Sequence, residues 1–478
     1  MKPTPRDKKP AAPAAKPVTA PVAALIARET GWLPDCVYTG EKFETGLAFF
    51  ADALGRIARF SREPADLAAA HRLAGQAALP GLVNAHSHAV ERVMRGRVEP
   101  GPRGDAGAFA TVRAATDRVV GRLTGDDVFA TARMAFTEML LSGITCVGEF
   151  HYLHHPPDGT PWPEPNFLSH EILRAAHDTG IRLALLKVAC AQAGPARSLV
   201  AKPDQFVREA DALRIFAEKN YPADDAWTGV AVQGLSTVSL DYLKAVGAYA
   251  HSQRLRLHLP VSERADDNVA CVAAHGRTPV ALLAEHGLID KRFTAVNAIH
   301  VTDDEAKLLG AARATVCVCP TAGRVLALGP APAEKFLAAG AGLAFGTDGG
   351  AQIDLLEEAR LIESALRAGR PSRGALSPEV VTPLFHAATV AGARSLGATG
   401  GALEVGRPAD FFTVSLFDPA LAGAELGGLL GNILFSPGRA AVREVWVGAR
   451  QLVVNGRHAH QGTVVSKFVD LQRRLWAS

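Results

Sequence analysis

The sequence predicts an α/β chain: a (β/α)8 TIM-like barrel with a small β-sandwich domain built from both chain ends. Three observations carry this expectation. Short apolar runs alternate with helical periodicity between Gly81 and Phe345, and the runs number eight. Both flanking stretches are instead made of short strand-like runs and turns. The chain is also long enough, at 478 residues with 48% hydrophobic and 21% charged positions, to bury a large core. That composition excludes fibrous and wholly disordered classes.

The elements follow in order. The first two dozen residues are too rich in Pro for a signal-peptide helix, so residues 1–30 are expected to form a disordered tail. Short strands and turns occupy the text from Gly31 to Ala78. Gly81 to Ala85 then reads as the first barrel strand. Thr124 is placed to cap a helix reaching Leu141, where Ser142-Gly143 stops it, and Ile144 to Gly148 is the next strand. Helix and strand then alternate. The later strands are expected at Ile181 to Val188, Gly229 to Leu235, Leu255 to Leu259, Ala295 to Ile299, Thr315 to Cys319 and Leu343 to Phe345. Alternation of this kind predicts a parallel sheet, and eight units predict a closed barrel. After Gly397 strands return at Asp410 to Val414, Val442 to Val447 and Gln451 to Val454, with a turn at Asn455-Gly456. Neither β-rich end is large enough to be stable alone. Residues 31–80 and 398–478 are therefore expected to form one composite domain beside a barrel of residues 81–397.

Charge and cysteine usage narrow the function. Lys and Arg number 51 against 48 Asp and Glu, and a net charge of +3 gives no nucleic-acid surface. No apolar run reaches the length of a membrane span. Six Cys without zinc-knuckle spacing read as buried thiols of a reducing, cytoplasmic compartment. The expected partner is a small-molecule substrate rather than a nucleic acid or a membrane. The sequence leaves the oligomeric state open, a homodimer included.

The chemistry sits in His-bearing strand ends. His86-Ser87-His88 ends the first barrel strand, and residues two apart on an extended segment face the same way. Both imidazoles can then reach one ion, although an H-x-H also occurs as a surface turn. Asp348, in Phe345-Gly346-Thr347-Asp348-Gly349-Gly350, suits a carboxylate aimed into the barrel mouth, or a turn-starting Asp. His300 ends a strand before the helix cap Thr302. Leu257-His258-Leu259-Pro260-Val261-Ser262-Glu263 offers a His and a Glu, and Glu263 can shuttle protons beside a bound water. Glu149-Phe150-His151-Tyr152-Leu153-His154-His155 reads as a substrate wall, a metal site or a surface loop.

Together these residues resemble the amidohydrolase superfamily of metal-dependent hydrolases and deaminases. The matching text is Pro80 to His88, Ser262-Glu263, His300, Thr347-Asp348 and Val405 to Phe411. Within it the likeness is greatest to the formimidoylglutamate deiminase family, through His86 to Gly96, Glu149 to Gly159, Asn432 to Phe435 and Val442 to Val447. It covers about residues 35–475. The resemblance implies one divalent ion, usually zinc, held by the H-x-H pair, a His after the fifth strand and the Asp after the eighth. It also implies that Glu263, His300 and Asp348 act on bound water. The imidazole and carboxylate donors would suit iron or nickel as well.

The chain departs from the family at several positions. The third metal His stands three residues before the Glu in the family, and here that residue is Pro260. His258, two residues earlier, is the substitute ligand, about 6.6 Å away along the strand. Val238 replaces a His, and Asp241 replaces an Arg that the resemblance implies for gripping a substrate carboxylate. Glu91 replaces a Gln. Gly349-Gly350 replaces a polar pair. The expected metal set is thus His86, His88, His258 and Asp348, with Glu91, Tyr152, Val238 and Asp241 as the substrate set. Three readings follow: a hydrolase of the formimino group, the same chemistry on a substrate without that carboxylate, or a metal-poor binding protein.

Overall fold

The computed structural model describes residues 29–97, 108–156, 158–192, 198–368 and 380–477. The expected tail falls outside these residues up to residue 28, and Thr30 already begins the first strand.

Two sheets organise the chain. The first is mixed and uses both chain ends. It comprises β1 (Thr30–Tyr38), β2 (Phe43–Thr45), β3 (Ala48–Ala51), β4 (Ile57–Ser61) and β5 (His71–Pro80) from the N-terminal side. The second sheet is wholly parallel, with its eight strands in sequence order: β6 (Leu82–Ser87), β7 (Ile144–His151), β8 (Arg182–Ala189), β9 (Ala226–Val232), β10 (Leu257–Val261), β11 (Phe293–Asn297), β12 (Thr315–Val318) and β13 (Gly342–Phe345). The C-terminal side then returns to the first sheet with β14 (Phe411–Ser415), β15 (Val442–Val447), β16 (Arg450–Val454) and β17 (Arg457–His458). β14 pairs antiparallel with β5, which is the joint between the two ends. The α/β barrel with a composite sheet, expected from the pattern, is the observed fold.

Local chemistry explains the boundaries. Thr124 and Asp127 form a reciprocal capping box at the start of the helix Gly125–Leu141, and Thr302 and Glu305 do the same for Asp303–Ala311. Asn455 and Gly456 both take the left-handed backbone that a two-residue hairpin turn demands. The mixed sheet has its own core, with Trp32, Phe49, Phe411 and Trp446 packed ring against ring at centroid distances of 5.0–5.7 Å. Arg182, at the start of β8, clamps Asp410 through Nε–Oδ2 (2.6 Å) and Nη2–Oδ1 (3.0 Å). This buried fork ties the barrel to the mixed sheet.

Two helices that periodicity alone did not single out shape the barrel. Gln461–Trp476 buries Val464, Phe468, Leu471 and Leu475, and Arg474 bonds Asp127. Val390–Leu396 closes the N-terminal end of the barrel. Its Ala393 and Leu396 pack on Val83, Cys146 and Ala184, and Leu396 accepts the indole N–H of Trp227 at 2.8 Å. With that end plugged, the open mouth lies at the C-terminal ends of the strands, where barrel enzymes place their chemistry.

Candidate active site

The barrel closes through its candidate ligands. The carbonyl of His86 accepts from the N–H groups of Thr347 (2.9 Å) and Asp348 (3.0 Å), and the carbonyl of Asp348 accepts from the N–H of His88 (2.9 Å). Asn84 reinforces this seam: its Nδ2 donates to Thr347 Oγ1 at 2.8 Å, and its Oδ1 accepts from Thr347 N at 3.1 Å. The register of β6 shifts between Asn84 and Ser87, which turns the His86-Ser87-His88 segment into the interior. Gly346 makes room, since a Cβ there would lie 2.7 Å from the Cβ of His86.

One ligand atom from each of His86, His88 and Asp348 lies within 4.8 Å of the others. His88 Nε2 stands 3.4 Å from Asp348 Oδ1. Both imidazoles are buried, and their Nδ1 atoms have no hydrogen-bond partner among the described residues. Burial, together with the nearby His88 and His258, holds the His86 imidazole well below its ordinary pKa, so one ring nitrogen keeps a free lone pair. Two buried imidazoles and a carboxylate that converge with unmet polar capacity fit a divalent cation. Phe150 covers both rings, at 5.0 and 5.1 Å.

The other expected residues divide. Tyr152 donates to Glu91 Oε1 at 2.8 Å, and its ring lies 5.5 Å from that of His88. Glu91 and Tyr152 are therefore brought to the centre. Glu263 is too: it accepts from Asn297 Nδ2 at 2.7 Å, and burial and the Asp348 charge push its carboxyl up to about 7. His258 is not. It is fully buried but lies deeper, donating from Nε2 to the Ser395 carbonyl of the closing helix at 3.1 Å, outside the His-His-Asp group. Two residues nearer the mouth on the same strand stands Pro260, which has no donor to offer. His300 is exposed in the turn after β11, and its backbone alone is bonded, to Ser262 and Asn268. Val238 belongs to the apolar core, and Asp241 is exposed in the first turn of Leu240–Ser252.

Sequence reasoning missed four contributors. Arg113, from the helix Ala108–Val120, sits 3.7 Å from Glu91 and over the Tyr152 ring at 5.6 Å. Asn297 ends β11 in the left-handed region that Asn tolerates, and this was its signal. Asn84 lies inside the motif Pro80 to His88, and its bonds to Thr347 give it a role that the motif does not spell out. Glu149 is buried, accepts from Ala89 N at 2.7 Å and is pushed up to about 8 by burial. Ser262, Ala298 and Asp348 share positive φ at these strand ends, the strain that binding sites tend to store. A cavity of about 50 Å3 touches Glu91, Thr116, Asp348 and Gly349. His154 and His155 hold backbone carbonyls of Val188 and Leu199 and stay outside the group. No described helix is long and apolar enough to cross a membrane.

Comparisons with known proteins agree with this geometry. The family described as the amidohydrolase family matches residues 77–458. A formimidoylglutamate deiminase of Pseudomonas aeruginosa is 34% identical over 423 residues, covering 87% of this chain and 92% of its own. A 5-methylthioadenosine/S-adenosylhomocysteine deaminase of Haloarcula marismortui is 29% identical over 73% of this chain and 74% of its own. The crystal structure of an amidohydrolase from Brucella melitensis superposes with a TM-score of 0.85 at 27% identity, covering 93% of this chain and 99% of that one.

Proposed function

The chain belongs to the amidohydrolase family as a hydrolase of the deaminase type, and we propose that it hydrolyses the C–N bond of a formimino, amidine or related carbon in a small molecule. The observation that carries this reading is the convergence of His86, His88 and Asp348 beside Glu263. A catalytic zinc site needs only three protein ligands and one open position. These three residues would hold the ion, so neither Pro260 nor the depth of His258 removes the site. Zinc suits the set, and iron or nickel would also fit. The chemistry such an ion supplies is a lowered pKa for water near neutral pH.

The chain's own groups do the rest. The Asp348 carboxylate, turned inward by its left-handed backbone, accepts the proton of the attacking water. Glu263, with a carboxyl poised at about 7, carries a proton to the leaving nitrogen. Asn297 fixes Glu263 through one oxygen and leaves the other for transfer. Phe150 screens the imidazoles from solvent.

The relative at 34% identity supports a formimino substrate. One observation favours a substrate without a carboxylate: Glu91, Asp117, Glu263 and Asp348 outnumber Arg113 and Arg95 at the mouth, and Arg95 is paired with Glu138, which suits an amidinium cation. Metal analysis by inductively coupled plasma mass spectrometry, with ammonia release from N-formimidoyl-L-glutamate, amidines, guanidines and 5-methylthioadenosine, tests both. Bound metal with turnover of an amidine-type carbon is expected. A metal-free preparation that releases no ammonia from any member overturns the function. Preference for the glutamate derivative over simple amidines overturns only the second reading.

A further inference from the structure

At the plugged end of the barrel, the start of β9 and the residues just before β10 and β11 border a cavity of about 300 Å3. Four arginines line it. Arg214 comes from the helix Pro203–Asn220, Arg254 and Arg256 from the turn before β10, and Arg292 from the residue before β11. Glu218 is the only carboxylate among the described lining residues. Trp227, pinned to the Leu396 carbonyl, and Gly397 at the end of the closing helix complete the wall.

Charge is not balanced there. Arg214 pairs with Asp211 (2.9 Å) and Glu218 (2.8 Å), and Arg292 pairs with Asp290 (2.8 Å). Arg254 and Arg256 make no ion pair among the described residues. Arg256 donates to the Lys291 carbonyl at 3.2 Å. Burial and the cations of Arg292 and Arg394 press its guanidinium below its ordinary value, with Asp290 acting the other way. The closing helix ends at the cavity, but its C-terminus offers only about half a negative charge. Four guanidinium groups against Asp211, Glu218 and Asp290 leave one positive charge, which exceeds that.

We propose that this cavity is a binding site for a small phosphate anion, separate from the metal group. The forks of Arg214 and Arg292 are held by carboxylates, and the turn before β10 brings the remaining N–H groups of Arg254 and Arg256 to the cavity. A tetrahedral oxyanion with several free oxygens satisfies them better than a planar carboxylate, which takes one fork.

Isothermal titration of the whole protein with pyrophosphate, at low salt and after chelation of metal, tests the proposal. One equivalent per chain is expected, with binding retained after chelation. Arg254→Gln and Arg256→Gln should each weaken it by about tenfold or more. Glu218→Gln should tighten it, an outcome that misfolding cannot produce. Citrate should bind more weakly than pyrophosphate. Absence of binding, its loss on chelation, tighter binding of citrate, or arginine variants with parental affinity would each overturn the site.

Discussion

Where β6 meets β13, backbone and side chains hold one another. The carbonyls of His86 and Asp348 take the bonds that close the barrel, and Asn84 and Thr347 exchange a buried pair beside them. Across the mouth, at the ends of β9, β10 and β11, the side chains are independent of closure. Val238 packs in the core, Asp241 and His300 face solvent, and Pro260 has no N–H to give. The half that can hold a metal ion is thus built into the seam of the fold. The opposite half sits on loops and can change what is bound without unzipping a strand. The chain retains the resemblance's H-x-H and Asp on the first side, and on the second it departs at Val238, Asp241 and Pro260.

The most severe way to break the comparison is Asp348→Ala. Its backbone still closes the barrel, so circular dichroism should match the parent, while bound metal falls to background. Turnover should drop on the order of a thousandfold or more, because the ion supplies several kcal/mol of transition-state stabilisation. Retention of metal would place the ion elsewhere.

Glu263→Gln comes next and separates binding from proton transfer. Metal content should stay at the parental level while turnover falls by about 10²–10⁴-fold. The parental rate should decline as pH rises through about 7, where Glu263 loses the proton it must donate. That limb should be absent in the variant. A parental pH profile in Glu263→Gln would assign the proton to another group.

How well each half could be read from sequence follows the same division. At the seam the expected strands Gly81 to Ala85 and Leu343 to Phe345 lie close to Leu82–Ser87 and Gly342–Phe345, and His86, His88 and Asp348 stand at or just past their ends. Across the mouth the expected strands Gly229 to Leu235, Leu255 to Leu259 and Ala295 to Ile299 sit two or three residues away from Ala226–Val232, Leu257–Val261 and Phe293–Asn297. At β9 and β11 the apolar runs continue past the ladder, as Leu235 does into a short 3-10 turn, and at β10 the ladder runs on through Pro260 and Val261, so hydrophobicity did not mark the ends. Backbone conformation did: Asn297 and Ala298 turn left-handed and stop β11. That two-residue shift carries His300 from a strand end into an exposed turn and leaves Asn297 beside Glu263. Arg113 was illegible for another reason. It reaches the site from the helix Ala108–Val120, through tertiary packing that no local pattern encodes.

The smallest effects come from two histidines that both lie outside the His-His-Asp group. His300→Ala should leave metal content intact and stability within about 0.5 kcal/mol, as for other exposed positions. His258→Ala should also keep its metal, yet lose about 2–4 kcal/mol through the cavity and the orphaned Ser395 carbonyl. Acid separates the two further. Burial lowers the folded pKa of His258 to about 4, with the Ser395 bond opposing. Between about 6.5 and 4 the unfolded chain therefore binds a proton that the folded chain refuses, and stability falls as pH falls. Urea unfolding of chelated protein at pH 7 and pH 5 should show a loss in the parent that is smaller in His258→Ala and unchanged in His300→Ala. If His258→Ala instead releases the metal, the ion sits deeper in the barrel than the seam, and the contrast between the two halves fails.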